Sequence, residues 1–320
     1  MMCENTKRKG RRDMKHLFII NPVAGGTNRS TEIYEKVKKA FENREDSFEV
    51  YITNAPQDAI EAVRKHCETG EELRIYACGG DGTFNECCCG AAGFKNAAVT
   101  PFANGTGNDF IKTFGEDKQY FFQLENLLNG KVVPLDLMDV NGRMCVDIAS
   151  VGIDARIGTE VQKNSKIPLI GGATGYITSL VVNVIKGLGQ EMKIEAGDVK
   201  TEGKFAMVTC CNGNFYGGGF NPIKDANPAD GQMNILLTKN ISRVKAASLI
   251  GAYGDGRYYE VPDLITRVDA NKIHVKLDKV SVINIDGEAI YTDDLTVELI
   301  PGAVNFIVPE GMTYFDKKPE

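Results

Sequence analysis

The 320-residue chain contains no tryptophan and three histidines, and none of its nine cysteines belongs to a C-x-x-C pair. The three adjacent cysteines at residues 87–89 would point about 100° apart on a helix and could not close on one metal ion, so we interpret them as packing residues. These features exclude a zinc ribbon, a histidine-rich metal centre and a secreted disulfide framework. A reducing cytoplasm is therefore the expected location.

Long apolar runs are also missing, because no apolar stretch reaches the roughly 18 residues that a membrane-spanning helix needs. The net charge of -6, from 37 basic and 43 acidic side chains, argues against a dedicated nucleic-acid binder. The charge is unevenly distributed, since residues 1–15 hold six basic and two acidic side chains. We expect residues 1–13 to be a disordered basic arm, which is either dispensable or a tether to an anionic lipid surface.

The chain contains two regions with different patterns of apolar and polar residues. Residues 14–135 alternate short β-like runs with amphipathic helical patterns, which predicts an α/β domain with a parallel sheet. Residues 136–300 carry β-branched runs between turns, which predicts a mainly antiparallel β-sandwich. Within it, a helical stripe at residues 174–188 is expected to pack in the core or to line an acyl-chain cleft, and residues 301–320 are expected to return to the first domain. The predicted strands of the sandwich are residues 144–151, 205–210, 233–237, 273–277, 280–285 and 295–299.

A glycine-rich segment, G-G-D-G-T at residues 79–83, follows a predicted strand and opens a predicted helix. This is the position at which open α/β sheets bind ligands, and both the freed backbone N–H groups and the helix dipole favour a phosphate. Asp81 does not favour a phosphate directly, but it can hold a Mg²⁺ ion that the phosphates share. Taken alone, the segment could also be a glycine turn with a capping aspartate.

Two further glycine loops accompany this segment. N-P-V-A-G-G at residues 21–26 follows the first predicted strand, and G-T-G-N-D-F at residues 105–110 follows the predicted strand at residues 97–100. Because loops after parallel strands emerge at one edge of the sheet, all three can converge on one polyphosphate. The Walker P-loop pattern and the Rossmann G-x-G-x-x-G pattern do not occur, which excludes ordinary P-loop and dinucleotide-binding sites.

Three more segments complete a recognisable set: Y-G-G-G-F at residues 216–220, A-D-G at residues 229–231 and I-D-G-E at residues 285–288. With the glycine loops, they make the chain resemble the diacylglycerol kinase and sphingosine kinase catalytic superfamily, especially the soluble bacterial lipid kinases. The resemblance covers about residues 14–310. It implies an α/β domain of the NAD kinase and diacylglycerol kinase type, followed by the sandwich.

The resemblance also implies a reaction, the transfer of the γ-phosphate of ATP to a lipid hydroxyl, with diacylglycerol as the expected acceptor and phosphatidic acid as the product. Glu288 is the expected base and Asp286 the alternative, with Asp81 as a third catalytic carboxylate. Without the resemblance, residues 285–288 would be interpreted as an ordinary hairpin turn. The residues implied to bind ATP are Asn21, Pro22, Gly25, Thr53, Gly79, Gly80, Asp81, Gly82, Thr83, Asn85 and Thr106.

A second, structural Mg²⁺ ion is implied near the A-D-G segment. Asp230 would supply its carboxylate, and Asn227 and Gln232 would supply backbone oxygens. One departure from the family pattern concerns the loop after Pro101, where three residues instead of one precede Gly105, so the loop is expected to bulge.

The expected partner is a lipid at a membrane surface. The protein is expected to be cytoplasmic and to associate peripherally with the membrane. A homodimer is left open. Two alternatives remain at this point. An NAD kinase-like phosphotransferase on a soluble nucleotide would share the G-G-D-G-T segment. A non-catalytic lipid sensor would keep the fold without turnover.

Overall fold

The computed structural model describes residues 14–103, 108–156, 189–240 and 251–316. The predicted basic arm at residues 1–13, the predicted helix at residues 174–188 and Thr106 lie outside the described residues. The first half of the chain alternates strands and helices. Its elements are β1 (Lys15–Ile20), α1 (Ser30–Phe41), β2 (Ser47–Ile52), α2 (Asp58–Cys67), β3 (Leu73–Gly79), α3 (Asp81–Ala91) and β4 (Ala97–Ala103).

The four strands of this half pair in the order β4-β3-β1-β2, and each pairing is parallel. All seven residues of β4 are buried, as expected for a strand covered on both faces. The apolar side of α1 packs inward through Ile33, Val37 and Phe41, as expected for an amphipathic helix. Because the strands are parallel, the loops that follow β1, β3 and β4 emerge at one edge of the sheet.

The second half is mainly β-structure, introduced by the 3₁₀ segment Phe110–Phe122. Its elements are α4 (Leu124–Leu128), β5 (Lys131–Val140), β6 (Arg143–Cys145), β7 (Ile148–Gly152), β8 (Gln190–Ala196), β9 (Val199–Cys211), β10 (Asn234–Lys239), β11 (Ile265–Asp269), β12 (Lys272–Ile285) and β13 (Glu288–Val308).

The strands of the sandwich pair antiparallel around a second apolar core. β12 pairs with β13, β7 and β8, while β9 pairs with β7, β8 and β10. Val208, Ile283 and Val297 are buried together in this core. The alternation of buried and exposed residues along β8 is the pattern expected when one face of a strand packs on a core.

Two long strands connect the halves. Residues 131–135 of β5 pair with residues 304–308 of β13, and residues 137–140 of β5 pair with residues 297–300. The register shifts between Ile300 and Val304, and beyond this irregularity β13 pairs in parallel with β4. The predicted domain boundary at residue 135 therefore falls inside β5. Residues 301–320 were predicted to return to the first domain, and residues 301–308 form the last part of β13.

Two strand predictions need correction. The run at residues 144–151 is not one strand, because β6 ends at Cys145 and β7 begins at Ile148, where backbone N–H groups turn towards Asp286. The runs at residues 273–277 and 280–285 are parts of one strand, β12, whose pairing is irregular between Lys276 and Ser281.

The cysteines behave as the packing prediction requires: Cys87 and Cys88 are buried, Cys89 is partly buried, and all eight cysteines of the described ranges are free. Within those ranges no cluster of three or more histidine, cysteine, aspartate or glutamate side chains is arranged for a metal ion. None of the helices there combines the length and apolarity that crossing a bilayer requires.

His16 gives the first testable prediction, because it is almost completely buried on β1 and contacts Tyr76 through a 2.8 Å hydrogen bond. Burial lowers the pKa of His16 from 6.5 to about 4, and the opposing charge of Asp46 does not compensate. The unfolded chain therefore takes up this proton first, and stability is lost as the pH falls from 6.5 towards about 4. Between pH 7.5 and pH 5 we expect the wild type to lose about 2 kcal/mol more unfolding free energy than His16→Gln.

The measurement is urea unfolding of both proteins at the two pH values. An identical pH dependence in both proteins would show that His16 is not kept neutral by burial.

Candidate active site

The N-terminus of α3 follows β3 directly at the sheet edge, and a helix N-terminus favours anions. The helix begins at Asp81, and Gly80 before it has no side chain with which to cap the first-turn N–H groups. A Cβ atom at Gly79 would clash with the Thr83 hydroxyl, whereas one at Gly82 would meet no side chain and no backbone from outside its own helix within 4 Å. Gly79 is thus required by packing, and Gly82 leaves open space above the helix end.

The loop after β1 lies against this helix end. The Asn21 side chain donates a 3.2 Å hydrogen bond to the Thr83 hydroxyl, and its carbonyl oxygen accepts the N–H of Val23 at 3.1 Å. Pro22 is partly exposed, and the exposed Gly25 has a φ of 69°, which glycine adopts without strain. The structure therefore brings the first two predicted phosphate loops together.

Thr53 is buried directly after β2, beside the end of β1. Its N–H donates a 2.9 Å hydrogen bond and its hydroxyl a 3.4 Å hydrogen bond to the Ile20 carbonyl. Because Ile20 precedes Asn21, Thr53 supports the β1 loop from the side of β2.

Asp81 anchors the third loop, of which residues 104–107 lie outside the described ranges. Its two carboxylate oxygens accept the N–H groups of Asp109 at 2.8 Å and Phe110 at 3.1 Å. Burial raises the pKa of Asp81, as do the charges of Asp109 and Asp286, while the two N–H bonds oppose the shift. Asp81 thus holds the start of the segment after the third loop through two backbone hydrogen bonds. Its role as a Mg²⁺ ligand stays a prediction.

Asp109 links this loop to the second half of the chain. One carboxylate oxygen accepts the N–H of Gly218 at 2.7 Å, and the other accepts the Lys112 ammonium at 2.5 Å. Gly218 belongs to the Y-G-G-G-F segment, which therefore reaches the phosphate-loop edge of the sheet.

The I-D-G-E segment is a two-residue hairpin turn. Ile285 ends β12 and pairs with Glu288, which begins β13, and the turn residues Asp286 and Gly287 have φ angles of 46° and 91°. Two consecutive positive φ angles are typical of the type I′ turn that suits the twist of a hairpin. The predicted hairpin is confirmed.

The Asp286 carboxylate is held by donors from both halves of the chain. It accepts the N–H groups of Val146 at 2.6 Å and Asp147 at 3.0 Å, between β6 and β7, and that of Ile148 at 2.9 Å, the first residue of β7. It also accepts a hydrogen bond from the Asn85 amide on α3. These bonds occupy the carboxylate and fix the hairpin against α3.

The Glu288 carboxylate is much less restrained. Its side chain is half exposed, and its nearest partners are the Gln57 amide at 3.4 Å and the Arg143 guanidinium at 3.7 Å. Glu288, Asn85 and Gly82 line one cavity of about 420 Å³. The helix end that suits a phosphate and the freest carboxylate of the hairpin therefore face the same space.

Several residues of this space carried no functional prediction. Glu86 lies on α3, three residues after the G-G-D-G-T segment, and its two oxygens accept the N–H groups of Gln57 at 2.9 Å and Ala59 at 3.3 Å, which caps the start of α2. Burial raises the pKa of Glu86. Gln57 and Arg143 gave no sequence signal, because each is a single polar residue on an element remote in sequence from the hairpin that it contacts.

The second predicted metal site has oxygen donors in a half-buried turn. Asp230 accepts the N–H of Gln232 at 2.9 Å, and the Asn227 side chain accepts that of Ala229 at 3.1 Å. Burial raises the pKa of Asp230, the hydrogen bond from the Gln232 N–H opposes this shift, and the charge of Asp136 adds to it. Asp230 is a carboxylate of the kind that a hard cation prefers, and Mg²⁺ binding here stays a prediction.

Gly82 provides a prediction that separates binding from folding. Gly82→Ala places a methyl group in open space in the first turn of a helix, so the unfolding free energy should be unchanged or higher by up to about 1 kcal/mol. The same methyl group would obstruct a phosphate on that turn, so ATP affinity should fall about tenfold, measured by calorimetry. Gly251→Ala, also without a close neighbour, is the control. Unchanged ATP affinity in Gly82→Ala would contradict a phosphate at this helix end.

Comparison with known proteins covers both halves of the chain. The family model for the diacylglycerol kinase catalytic domain matches residues 15–140, and that for the YegS C-terminal NAD kinase beta sandwich-like domain matches residues 147–308. A Staphylococcus carnosus protein named as a candidate lipid kinase is 26% identical over 236 residues, which is 73% of this chain and 76% of that protein. A Staphylococcus aureus protein with the same kind of name is 25% identical over 236 residues, again 73% and 76%.

Solved structures agree in fold. A protein from Bacillus anthracis described as a candidate diacylglycerol kinase has a TM-score of 0.74 and 21% identity, and the match covers 95% of this chain and 100% of that one. A second structure from the same organism, described as a diacylglycerol kinase, has a TM-score of 0.68 at 21% identity, with the same coverage. At this identity the similarity shows the shared architecture.

Proposed function

Because the chain belongs to the diacylglycerol kinase catalytic family, we propose that it is an ATP- and Mg²⁺-dependent lipid kinase that transfers the γ-phosphate of ATP to a lipid hydroxyl. The observation that carries this proposal is the shared cavity of Gly82, Asn85 and Glu288. Phosphoryl transfer depends chiefly on alignment and on neutralisation of charge, and this cavity faces both a helix N-terminus and a carboxylate.

The triphosphate is assigned to the edge formed by the first turn of α3 and the loop at residues 21–26. The first-turn N–H groups and the helix dipole favour negative charge at this end. Asn21 keeps the loop on the helix through its bond to Thr83, and Thr53 supports it from β2. A bound Mg²⁺ ion would neutralise phosphate charge, and Asp81 is the nearby carboxylate that could hold it.

Glu288 is the proposed base. In the reaction the acceptor oxygen attacks the γ-phosphorus, the bond to the β-phosphate oxygen breaks, and the hydroxyl proton passes to the Glu288 carboxylate. Asp286 is less suited to this role, because three backbone N–H groups and Asn85 already occupy its carboxylate. We assign Asp286 to positioning the hairpin that presents Glu288.

Diacylglycerol, which the family description names, is the first acceptor to test. The protein would reach this lipid by associating peripherally with a membrane surface. The test supplies purified protein with Mg²⁺ and ATP labelled at the γ-phosphate, in mixed micelles that each contain one lipid. Label in extracted lipid supports the proposal. Absence of label in diacylglycerol, monoacylglycerol, ceramide, sphingosine, undecaprenol and phosphatidylglycerol contradicts it, and formation of NADP from NAD would favour the NAD kinase-like alternative.

A further inference from the structure

Gln57 has a backbone conformation that a residue with a side chain rarely adopts. Its φ of 69° and ψ of 0° are left-handed. It directly precedes α2, but its side chain makes no capping hydrogen bond to that helix. Glu86 caps the helix instead, because its carboxylate accepts the N–H groups of Gln57 and Ala59. A glycine would fill the position with less strain, so the start of α2 does not itself require a glutamine side chain.

The side chain of Gln57 contacts the hairpin of the second half. Its amide donates a 3.4 Å hydrogen bond to Oε2 of Glu288, and this is its one side-chain hydrogen bond among the residues that the structure describes. Gln57 and Glu288 are 231 positions apart in the sequence, and both line the cavity of about 420 Å³. Strained residues cluster at active sites, where the surrounding structure holds them for a purpose other than stability.

Arg143 contacts the same carboxylate oxygen from β6. Its guanidinium Nη1 forms an ion pair with Oε2 of Glu288 at 3.7 Å. Gln57 and Arg143 therefore both engage Oε2, one from each half of the chain. Within the described ranges no hydrogen bond is made to Oε1, so Oε1 is the oxygen that is left to accept a proton.

We propose that Gln57 and Arg143 are positioning residues, which hold Oε2 of Glu288 so that Oε1 is presented to the acceptor hydroxyl. The inference rests on the proposed function, in which Glu288 takes the hydroxyl proton. A half-exposed carboxylate samples many orientations unless it is held, and each contact removes orientations that cannot take the proton. Both contacts are long and lie at the surface, so they contribute little to stability. Their loss should therefore appear in the rate of phosphoryl transfer.

The first experiment compares the wild type with Gln57→Gly by urea unfolding and by single-turnover kinetics, on the lipid of the micelle panel that the wild type labels fastest. Glycine adopts the positive φ without strain, so the urea midpoint should stay equal or rise. The rate constant for phosphoryl transfer should fall about tenfold. The Kd for ATP should stay within about threefold, because the phosphates are assigned to α3. A purely structural role would lower the midpoint together with the rate, and this result would overturn the inference.

Arg143 is tested by a conservative and a non-conservative replacement. Arg143→Gln removes the charge and should lower the rate constant about tenfold, whereas Arg143→Lys keeps the charge and should restore part of it. Equal rates in both variants would show that the ion pair does not position the base. Lys65→Gln is the control, because Lys65 pairs with Glu61 at 3.1 Å on α2 and does not line the cavity. Its rate constant and urea midpoint should match those of the wild type.

Action through Glu288 is tested by repeating Gln57→Gly and Arg143→Gln in a Glu288→Gln background. Each should lower the remaining rate by less than about twofold there, because a side chain that takes no proton gains nothing from orientation. An equal tenfold loss in both backgrounds, or a wild-type rate in Gln57→Gly, overturns the inference and leaves the kinase intact. Labelling of no lipid by the wild type contradicts the proposed function itself, and the inference falls with it.

Discussion

Replacing Glu288 with glutamine is expected to lower kcat for lipid phosphorylation by about 10²–10⁴-fold, because an amide cannot take the hydroxyl proton. The Kd for ATP should stay within about threefold, since the phosphates are assigned to the α3 end and not to the hairpin. The side chain is half exposed, with two weak contacts, so the unfolding free energy should change by less than about 1 kcal/mol. Single-turnover kinetics and calorimetry measure these quantities separately.

Glu298→Gln is the matched control. Glu298 lies on the same strand, β13, and its carboxylate pairs with Lys272 at 2.7 Å on the exposed surface. Turnover should be within about twofold of the wild type, because a surface ion pair contributes little. Full activity of Glu288→Gln would remove Glu288 from the reaction and would leave the hairpin with a purely structural role.

Replacing Asp286 with asparagine is expected to have the largest effect on stability, at about 3 kcal/mol. Asparagine tolerates the positive φ of 46°, so the backbone of the turn should be preserved. Its neutral amide gives up the charge-assisted bonds to three backbone N–H groups and places a donor where Asn85 already donates. Because these bonds fix the hairpin, kcat should also fall at least about tenfold in the fraction that remains folded.

The measurements are urea unfolding and turnover below the unfolding transition. Asp278→Asn serves as the control, because Asp278 is an exposed residue of β12, the strand that precedes the turn. A variant of Asp286 that matches the control in both stability and turnover would show that the bonds between the hairpin and the two halves are not energetically important.

Local sequence patterns were sufficient to predict the alternating strands and helices of the first half and the hairpin of the site. The apolar stripe of α1 and the alternation of strands with helices follow from periods of 3.6 and 2 residues, which single segments display by themselves. The I-D-G-E segment was also interpretable as a hairpin, because Asp-Gly tolerates consecutive positive φ angles. Each of these features is determined within about ten residues of sequence.

Features that depend on long-range contacts were not accessible in the same way. The break between β6 and β7 arises because the N–H groups at residues 146–148 bind Asp286, about 140 residues away, instead of a neighbouring strand. Gln57 has a φ of 69°, which the neighbouring residues in the sequence do not predict. Its N–H reaches Glu86 only because α2 packs on α3. For the same reason the sequence left Asp286 and Glu288 as alternatives, since the difference between them lies in which one the backbone already occupies.

The central claim is that one nucleotide lies between the α3 end and Glu288, and a crystal structure with Mg²⁺ and a non-hydrolysable ATP analogue tests it most directly. We predict that the triphosphate contacts the first-turn N–H groups of α3, with the γ-phosphate towards the side of the cavity that Glu288 lines. The acceptor oxygen would then have room about 3 Å from the Glu288 carboxylate. A triphosphate bound away from α3, or a γ-phosphate separated from Glu288 by the hairpin, would contradict the account.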